Sequence, residues 1–457
     1  MITPPDTKTM KKIFRSSLLL MLISIYTNVA SAQQNEIKKR PIKKQDFGVK
    51  EYMVDGIKVI SKPSTKDIIS VALYVRGGTA NYTKAQEGIE QLTLNVLAES
   101  GSQKYPKDKF NSLLDSYGSS IAASTNEDQG SVTLNCLKNR WNESWDIFAD
   151  MILHPTFDQN TFNNKKEESL SLIKQTESDP DGHLGDLVYK EVFKGTRYNT
   201  IVQGSEESIQ KMKIEDVKNY YGSLVAKNKL YVVVVGNVSE DDIRAKVGQL
   251  KGIQSGPPPV IAAETKPDFS KSTLYKEDRK LATNYIQGIL NAPAPGSADW
   301  TAMKIATRIL SDRLFVEIRT KRNLSYAPYA FLASNKNSYM GMYVSTTDPA
   351  ASVQVMTDEV KKIRKVGFTE QELKNKKEEY LTGFYMNLQT NSALNGMLGT
   401  NENLSSWKEV MTVLEKVKNL SVEDLNTTFR KYSTSIQWIY LGDTSQLDEK
   451  LFLQALE

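Results

Sequence analysis

Residues 157–170 read FDQNTFNNKKEESL, and residues 368–381 read FTEQELKNKKEEYL. The second stretch repeats the first at an offset of 211 residues, around a shared NKKEE core. Two more pairs follow in the same order: IEDVKNYY at 214–221 with VEDLNTTF at 422–429, and LYVVVVGNVSEDDI at 230–243 with IQWIYLGDTSQLDE at 436–449. Chance supplies one such echo easily, but three in order across half the chain argue for two homologous domains, each of about two hundred residues.

Each half has the same coarse grammar. In the first, alternating strands are expected at 51–61 (EYMVDGIKVIS) and 69–78 (ISVALYVRGG). Helices follow at 88–99, 107–117, 140–152 and 158–177, with a strand at 129–136 between the second and third. The run LYVVVVG reads as a strand buried on both faces, followed by a helix opened by Ser239. Blocks of strands and helices, rather than strict alternation, give an α+β fold used twice. The Gly-, Pro- and Ser-rich stretch GIQSGPPPVIAAETKPDFS at 252–270 is the expected linker, dividing a first domain at 48–251 from a second at 271–457.

The 457-residue chain is 25% charged and 39% hydrophobic, a globular composition. Lys11, Lys12 and Arg15 lead into SLLLMLISIY, and Ala30-Ser31-Ala32 follows as a small-residue cleavage pattern. Residues 1–32 therefore read as a secretory signal cut after Ala32, and 33–47 as a flexible stem. Met10, directly before the basic residues, is an alternative start. No later stretch has the eighteen or so apolar residues that a spanning helix needs, so the expected product is exported and periplasmic. The lone Cys136 can form no internal disulfide. The net charge of +5 includes the signal and the run KKRPIKK at 38–44, and does not call for a nucleic-acid partner.

In GIEQLTLNVLAES (88–100), Ile89, Leu92, Val96 and Leu97 keep helical spacing, and the amides of Gln91 and Asn95 lie one turn apart on one face. Taken alone they read as ordinary hydrogen-bonded amides. The chain has only two histidines, His154 and His183; neither stands at a metal-ligand spacing, and both read as structural. Glu167 and Glu168 recur as Glu378 and Glu379, which marks a repeated helix surface rather than a ligand pair. In the second half, 301–319 forms a long amphipathic helix with Ile305, Ile309, Leu314 and Ile318 inward, stopping at Asn323. A strand is expected over 324–334, with Pro328 favouring an edge. Arg319 would then sit at a helix end and Tyr326 at a strand start; the plain alternative is that Arg319, Lys321 and Arg322 complement the helix dipole. No Gly-rich phosphate loop follows a strand, the pair Gly77-Gly78 being a turn, and no Ser/His/Asp set is recognisable.

Together these segments resemble the pitrilysin/insulinase family of zinc metallopeptidases, in its processing-peptidase-like branch, over nearly the whole mature chain. The resemblance implies a duplicated clamshell of two α/β-roll domains, each a mostly antiparallel sheet packed by helices. The family's inverted zinc motif, H-x-x-E-H, falls on residues 91–95: both histidines are replaced, by Gln91 and Asn95, and the glutamate base by Leu94. The third ligand position falls on Ser171 or Leu172. Amides are poor zinc ligands and leucine is no base, so no metal is expected in this chain. By contrast, RLFVEIRTKRNLSYAPY at 313–329 resembles the family's arginine/tyrosine signature, with Arg319 and Tyr326 in those two positions. The Gly-rich sensor loop of the mitochondrial silent subunit has no match in APAPGSADW at 292–300.

The resemblance therefore implies a zinc-free subunit of a periplasmic two-subunit metallopeptidase. Arg319 and Tyr326 would serve the active site of a zinc-bearing homologous partner, in a heterodimer acting on extended peptides. A catalytically silent scaffold and a peptide-binding paralogue remain open alternatives.

Overall fold

Asp55 and Gly56 set the first corner of the chain. Both take left-handed backbone, with φ 46° and 83°, and they fold the single strand expected at 51–61 into a hairpin of β1 (Lys50–Val54) and β2 (Ile57–Pro63). An Asp-Gly pair between apolar alternations is a strong hairpin signal, because the turn needs positive φ at both residues. This computed structural model describes residues 48–256 and 265–456. The expected signal peptide, the stem and the middle of the linker lie outside the described residues.

The hairpin joins β3 (Ile68–Arg76), β4 (Ser120–Thr125), β5 (Gln129–Leu137) and β6 (Leu230–Gly236) in a six-stranded sheet of order β1-β2-β6-β3-β5-β4. Strand β4 is absent from the sequence reading because SIAAST lacks the bulky apolar alternation that marks a strand; it forms by antiparallel pairing with β5. A second sheet uses β7 (Thr273–Asp278), β8 (Asn284–Asn291), β9 (Tyr329–Ala333), β10 (Tyr339–Thr346) and β11 (Gln437–Gly442), in the order β7-β11-β8-β10-β9. It repeats the first sheet without β1: β2 runs parallel to β6 as β7 does to β11, and the other neighbours are antiparallel. Every residue of β6 and of β11 is buried, as their apolar composition requires of a central strand covered on both faces.

The helices of the first half are α1 (Ile89–Ser100), α2 (Lys107–Tyr117), α3 (Trp141–Leu153), α4 (Gln159–Ser178), α5 (Pro180–Leu187), α6 (Glu206–Lys211), α7 (Ile214–Leu224) and α8 (Glu240–Gly248). Those of the second are α9 (Trp300–Leu314), α10 (Pro349–Val366), α11 (Glu370–Asn387), α12 (Asn391–Leu404), α13 (Lys408–Asn419), α14 (Val422–Tyr432) and α15 (Glu449–Phe452). The sequence echo at 157–170 and 368–381 is the echo of α4 and α11, capped by Asp158 on the Thr161 amide and by Thr369 on the Glu372 amide.

Each half lays a helix on the other half's sheet. Asn395 on α12 donates to the carbonyls of Ser70 (2.9 Å) and Val233 (3.0 Å) and accepts from the Tyr74 hydroxyl (3.0 Å), while Tyr231 donates to the Gly399 carbonyl at 2.9 Å. In the other direction, Leu184 and Leu187 of α5 pack with Ile439 and Leu441 of β11, and Tyr343 donates to Asp181. His183 belongs to this contact, 2.9 Å from both Glu277 and Arg279, which accounts for it structurally. His154 caps α3 with its ring nitrogen 2.8 Å from Asp150.

Candidate functional site

Gly88 opens α1 at φ 90°, where a Cβ would fall 2.6 Å from Ile209 and 2.8 Å from the Gln203 carbonyl, so the entry needs glycine. The stripe Ile89, Leu92, Val96 and Leu97 is buried, which fixes the helix rotation. That rotation leaves Gln91 and Asn95 half-buried side by side, and neither side chain hydrogen-bonds another described residue. Leu94 is turned inward and almost fully buried; a Cβ on Gly130 of β5 would lie 2.6 Å from its Cδ1. Helix α4 packs along α1, tied by Lys165 to Glu99 at 2.6 Å, with Ser171 and Leu172 exposed. Two amides, a buried alkyl chain and an exposed hydroxyl or alkyl group do not fit a zinc ion, which takes imidazole, carboxylate or thiolate. Among the described residues, no group of three or more His, Cys, Asp or Glu could hold a metal.

One acidic residue of α1 escaped the sequence reading. Glu90 is buried, accepting from the Tyr220 hydroxyl at 2.6 Å and Asn81 Nδ2 at 3.1 Å, while its Oε1 has no partner and faces Gly130. Burial pushes its carboxyl up to about 7, against the two hydrogen bonds that favour the charged form. Glu90 shares its helix face with Leu94 four residues on, and that spacing is the signal that marks it as interior.

In the second half, α9 buries Ile305, Ile309 and Leu314, and it continues through a wider π-helical turn at Phe315–Thr320 that buries Ile318. Asn323 takes left-handed backbone at φ 52°, and the amides of Asn323 and Leu324 close on the carbonyls of Arg319 and Ile318 at 3.0 Å each. The strand expected over 324–334 is shorter: β9 starts at Tyr329, after Pro328, which has no N–H to offer a ladder. Tyr326 therefore stands in the loop before the strand, not at its start. Strand β9 is the edge of its sheet.

The three basic residues of this corner do different things. Lys321 and Arg322 both bind Glu317, at 2.7 and 2.6 Å, and these hydrogen bonds hold its carboxyl down at about 2. Arg319 has no carboxylate partner among the described residues; its guanidinium lies over the Tyr326 ring, 4.1 Å from the centroid. Tyr326 is 79% exposed, and its hydroxyl hydrogen-bonds no described residue. The structure thus brings Arg319 and Tyr326 together as an outward-facing pair with guanidinium and phenol donors available.

Comparison with known proteins agrees with the architecture. Residues 58–206 match the family model for insulinase (peptidase family M16), and residues 211–380 match the peptidase M16 inactive domain. The chain is 26% identical over 384 residues to the non-peptidase homolog YmxG of Helicobacter pylori, covering 79% of this chain and 86% of that one. It is 21% identical to the uncharacterized zinc protease YmxG of Bacillus subtilis, covering 84% and 96%. The crystal structure of a peptidase M16 inactive domain from Pseudomonas fluorescens superposes with a TM-score of 0.78 at 19% identity, covering 87% and 98%. Among the described residues, no helix is long and apolar enough to cross a membrane.

Proposed function

The chain belongs to the insulinase (M16) family of peptidases, and from that premise we propose that it is a zinc-free subunit which completes the active site of a zinc-bearing homologue with Arg319 and Tyr326. The observation that carries this reading is the outward-facing Arg319–Tyr326 pair, free of any acidic partner among the described residues, in a chain whose own motif positions do not fit the metal. Arg319 grips a carbonyl of the substrate backbone through its N–H donors, and Tyr326 donates its hydroxyl to the oxygen on which negative charge develops. The reading includes export to the periplasm, a heterodimer, and an extended peptide held along a sheet edge. Residues 48–251 and 271–457 are in it two peptidase-like domains joined by 252–270.

The test mixes the mature chain with a zinc-bearing homologue from the same genome and follows a quenched-fluorescent peptide. Arg319→Ala and Tyr326→Phe should each lower turnover by on the order of a hundredfold, with the complex intact on a sizing column. A silent scaffold is the rival reading, favoured by the relative named as a non-peptidase homolog. Unchanged turnover in both variants would decide for it.

A further inference from the structure

The internal repeat extends to the helix that lost the zinc motif. Lys165 of α4 binds Glu99 on α1 and Glu168 on its own helix; Lys376 of α11 binds Asp312 on α9 and Glu379 on its own helix. Matching Glu99 with Asp312 lays α1 on α9 at an offset of 213. Burial agrees with that register: the less buried positions 91, 95 and 99 of α1 fall on 304, 308 and 312 of α9, with buried residues between except for the half-buried Ser311. Lys304 therefore stands where Gln91 does, Thr307 where Leu94 does and Arg308 where Asn95 does. Gly383 falls at the place of Leu172, by the 211-residue offset of the long helices.

These positions converge on an open cleft of about 480 Å³, bounded by α9, α11 and the edge strand β9, in which Lys304, Thr307, Arg308, Tyr380 and Gly383 meet Leu332. Lys304 has no hydrogen-bond or ion-pair partner among the described residues. Its ammonium lies over the Trp300 and Tyr380 rings, at 5.5 and 5.9 Å from their centroids. Arg308 lies over Tyr380 at 5.2 Å, and its nearest acid is Glu379 at 3.8 Å, an exposed and long contact. The nearby Glu409 is taken up by Lys416 at 2.7 Å. Two cations thus line one cleft with little internal charge to balance them. Burial, aided by the Arg308 charge, lowers Lys304 to about 8, which leaves it mostly protonated at neutral pH, and an incoming anion would hold that proton more tightly.

We propose that this cleft binds an acidic side chain of an extended peptide lying along the outer edge of β9, with the carboxylate between Lys304 and Arg308. The backbone of β9 supports such an occupant. The Ala330 amide points away from β10 and is taken by Ser311 Oγ of α9 at 3.1 Å; by strand alternation the N–H and C=O of Leu332 also point away from β10 and are the groups left for an added strand. A strand added there sends alternate side chains towards the helix layer, from which Lys304 and Arg308 project. The site is independent of Arg319 and Tyr326, and the chain can be assayed alone.

The test uses the purified mature chain and a fluorescein-labelled, C-terminally amidated nonapeptide of alternating Thr and Val with one central Glu, read by anisotropy. Its Gln counterpart should bind at least tenfold more weakly. Lys304→Met should bring the Glu peptide down to the level of the Gln peptide while leaving the Gln peptide unchanged, and Arg308→Gln should act in the same direction. Gly383→Leu should weaken both peptides by filling the cleft, because a Cβ at Gly383 meets no atom within 4 Å and the fold can accept the side chain. Equal binding of the Glu and Gln peptides, an equal loss for both in Lys304→Met, or no binding of either would overturn the proposal.

Discussion

Lys166 and Lys377, 211 residues apart, hold the same position in the two halves. Lys166 Nζ donates to the carbonyls of Gln210 and Met212, at 2.7 and 2.8 Å. Lys377 Nζ donates to those of Lys418 and Leu420, at 2.9 and 2.6 Å. Each ammonium ties the long helix of its half to the end of a later helix, where carbonyls are left without intrahelical partners.

Replacing either lysine removes two charge-assisted hydrogen bonds. Lys166→Met and Lys377→Met should each cost about 1–2 kcal/mol in urea unfolding, and the double variant should show close to the sum. A double variant no worse than either single one would mean that the two ties are not independent.

Glu90 makes stability pH-dependent with a definite sign. Its folded value lies near 7 and its ordinary value at 4.5, so the native state holds the proton more tightly than the unfolded chain does. Its contribution is complete below about 4.5 and is lost as pH rises through 7, a change of about 3 kcal/mol. Glu90→Gln should remove that slope and be the more stable protein at pH 8. A variant whose unfolding midpoint still falls as steeply between pH 5 and pH 8 would contradict this account.

Gly399 lets α12 lie flat on the first sheet. A Cβ there would fall 2.1 Å from the Tyr74 ring, within a contact already fixed by Asn395 and Tyr231. Gly399→Ala should therefore destabilise the protein by about 2 kcal/mol although alanine is the better helix former. Thermal unfolding checks this, with Gly396→Ala on the same helix as control, because a Cβ there meets nothing within 4 Å.

Zinc offered to the purified chain should be removed by dialysis and leave no stoichiometric metal in mass spectrometric analysis. The side chains at 91, 94, 95, 171 and 172 are two amides, a hydroxyl and two alkyl groups, which leaves no imidazole, carboxylate or thiolate to hold the ion. One zinc per chain would require a site outside the described residues or a rearranged α1.

The sequence by itself determined the repeated segments, the helix over 88–100, and the stop of the helix that carries Arg319. These rest on local quantities: helical spacing in 88–100, the NKKEE echo, and a left-handed stop at Asn323, all of which act over a few residues. Turn chemistry at Asp55-Gly56 is equally local. Strand β4 was not legible, because its small residues become a strand only by pairing with β5.

Only the tertiary structure decided which charges are satisfied. Arg319, Lys321 and Arg322 look alike as a basic run, yet two of them share Glu317 and the third covers Tyr326. Glu90 looks like one more surface acid beside Gln91, yet helix rotation buries it against Gly130. Lys304 and Arg308 become one site only when α11 and β9 close around them. A charge takes its meaning from partners and solvent within a few ångströms, and the fold gathers those from residues tens to hundreds of positions away.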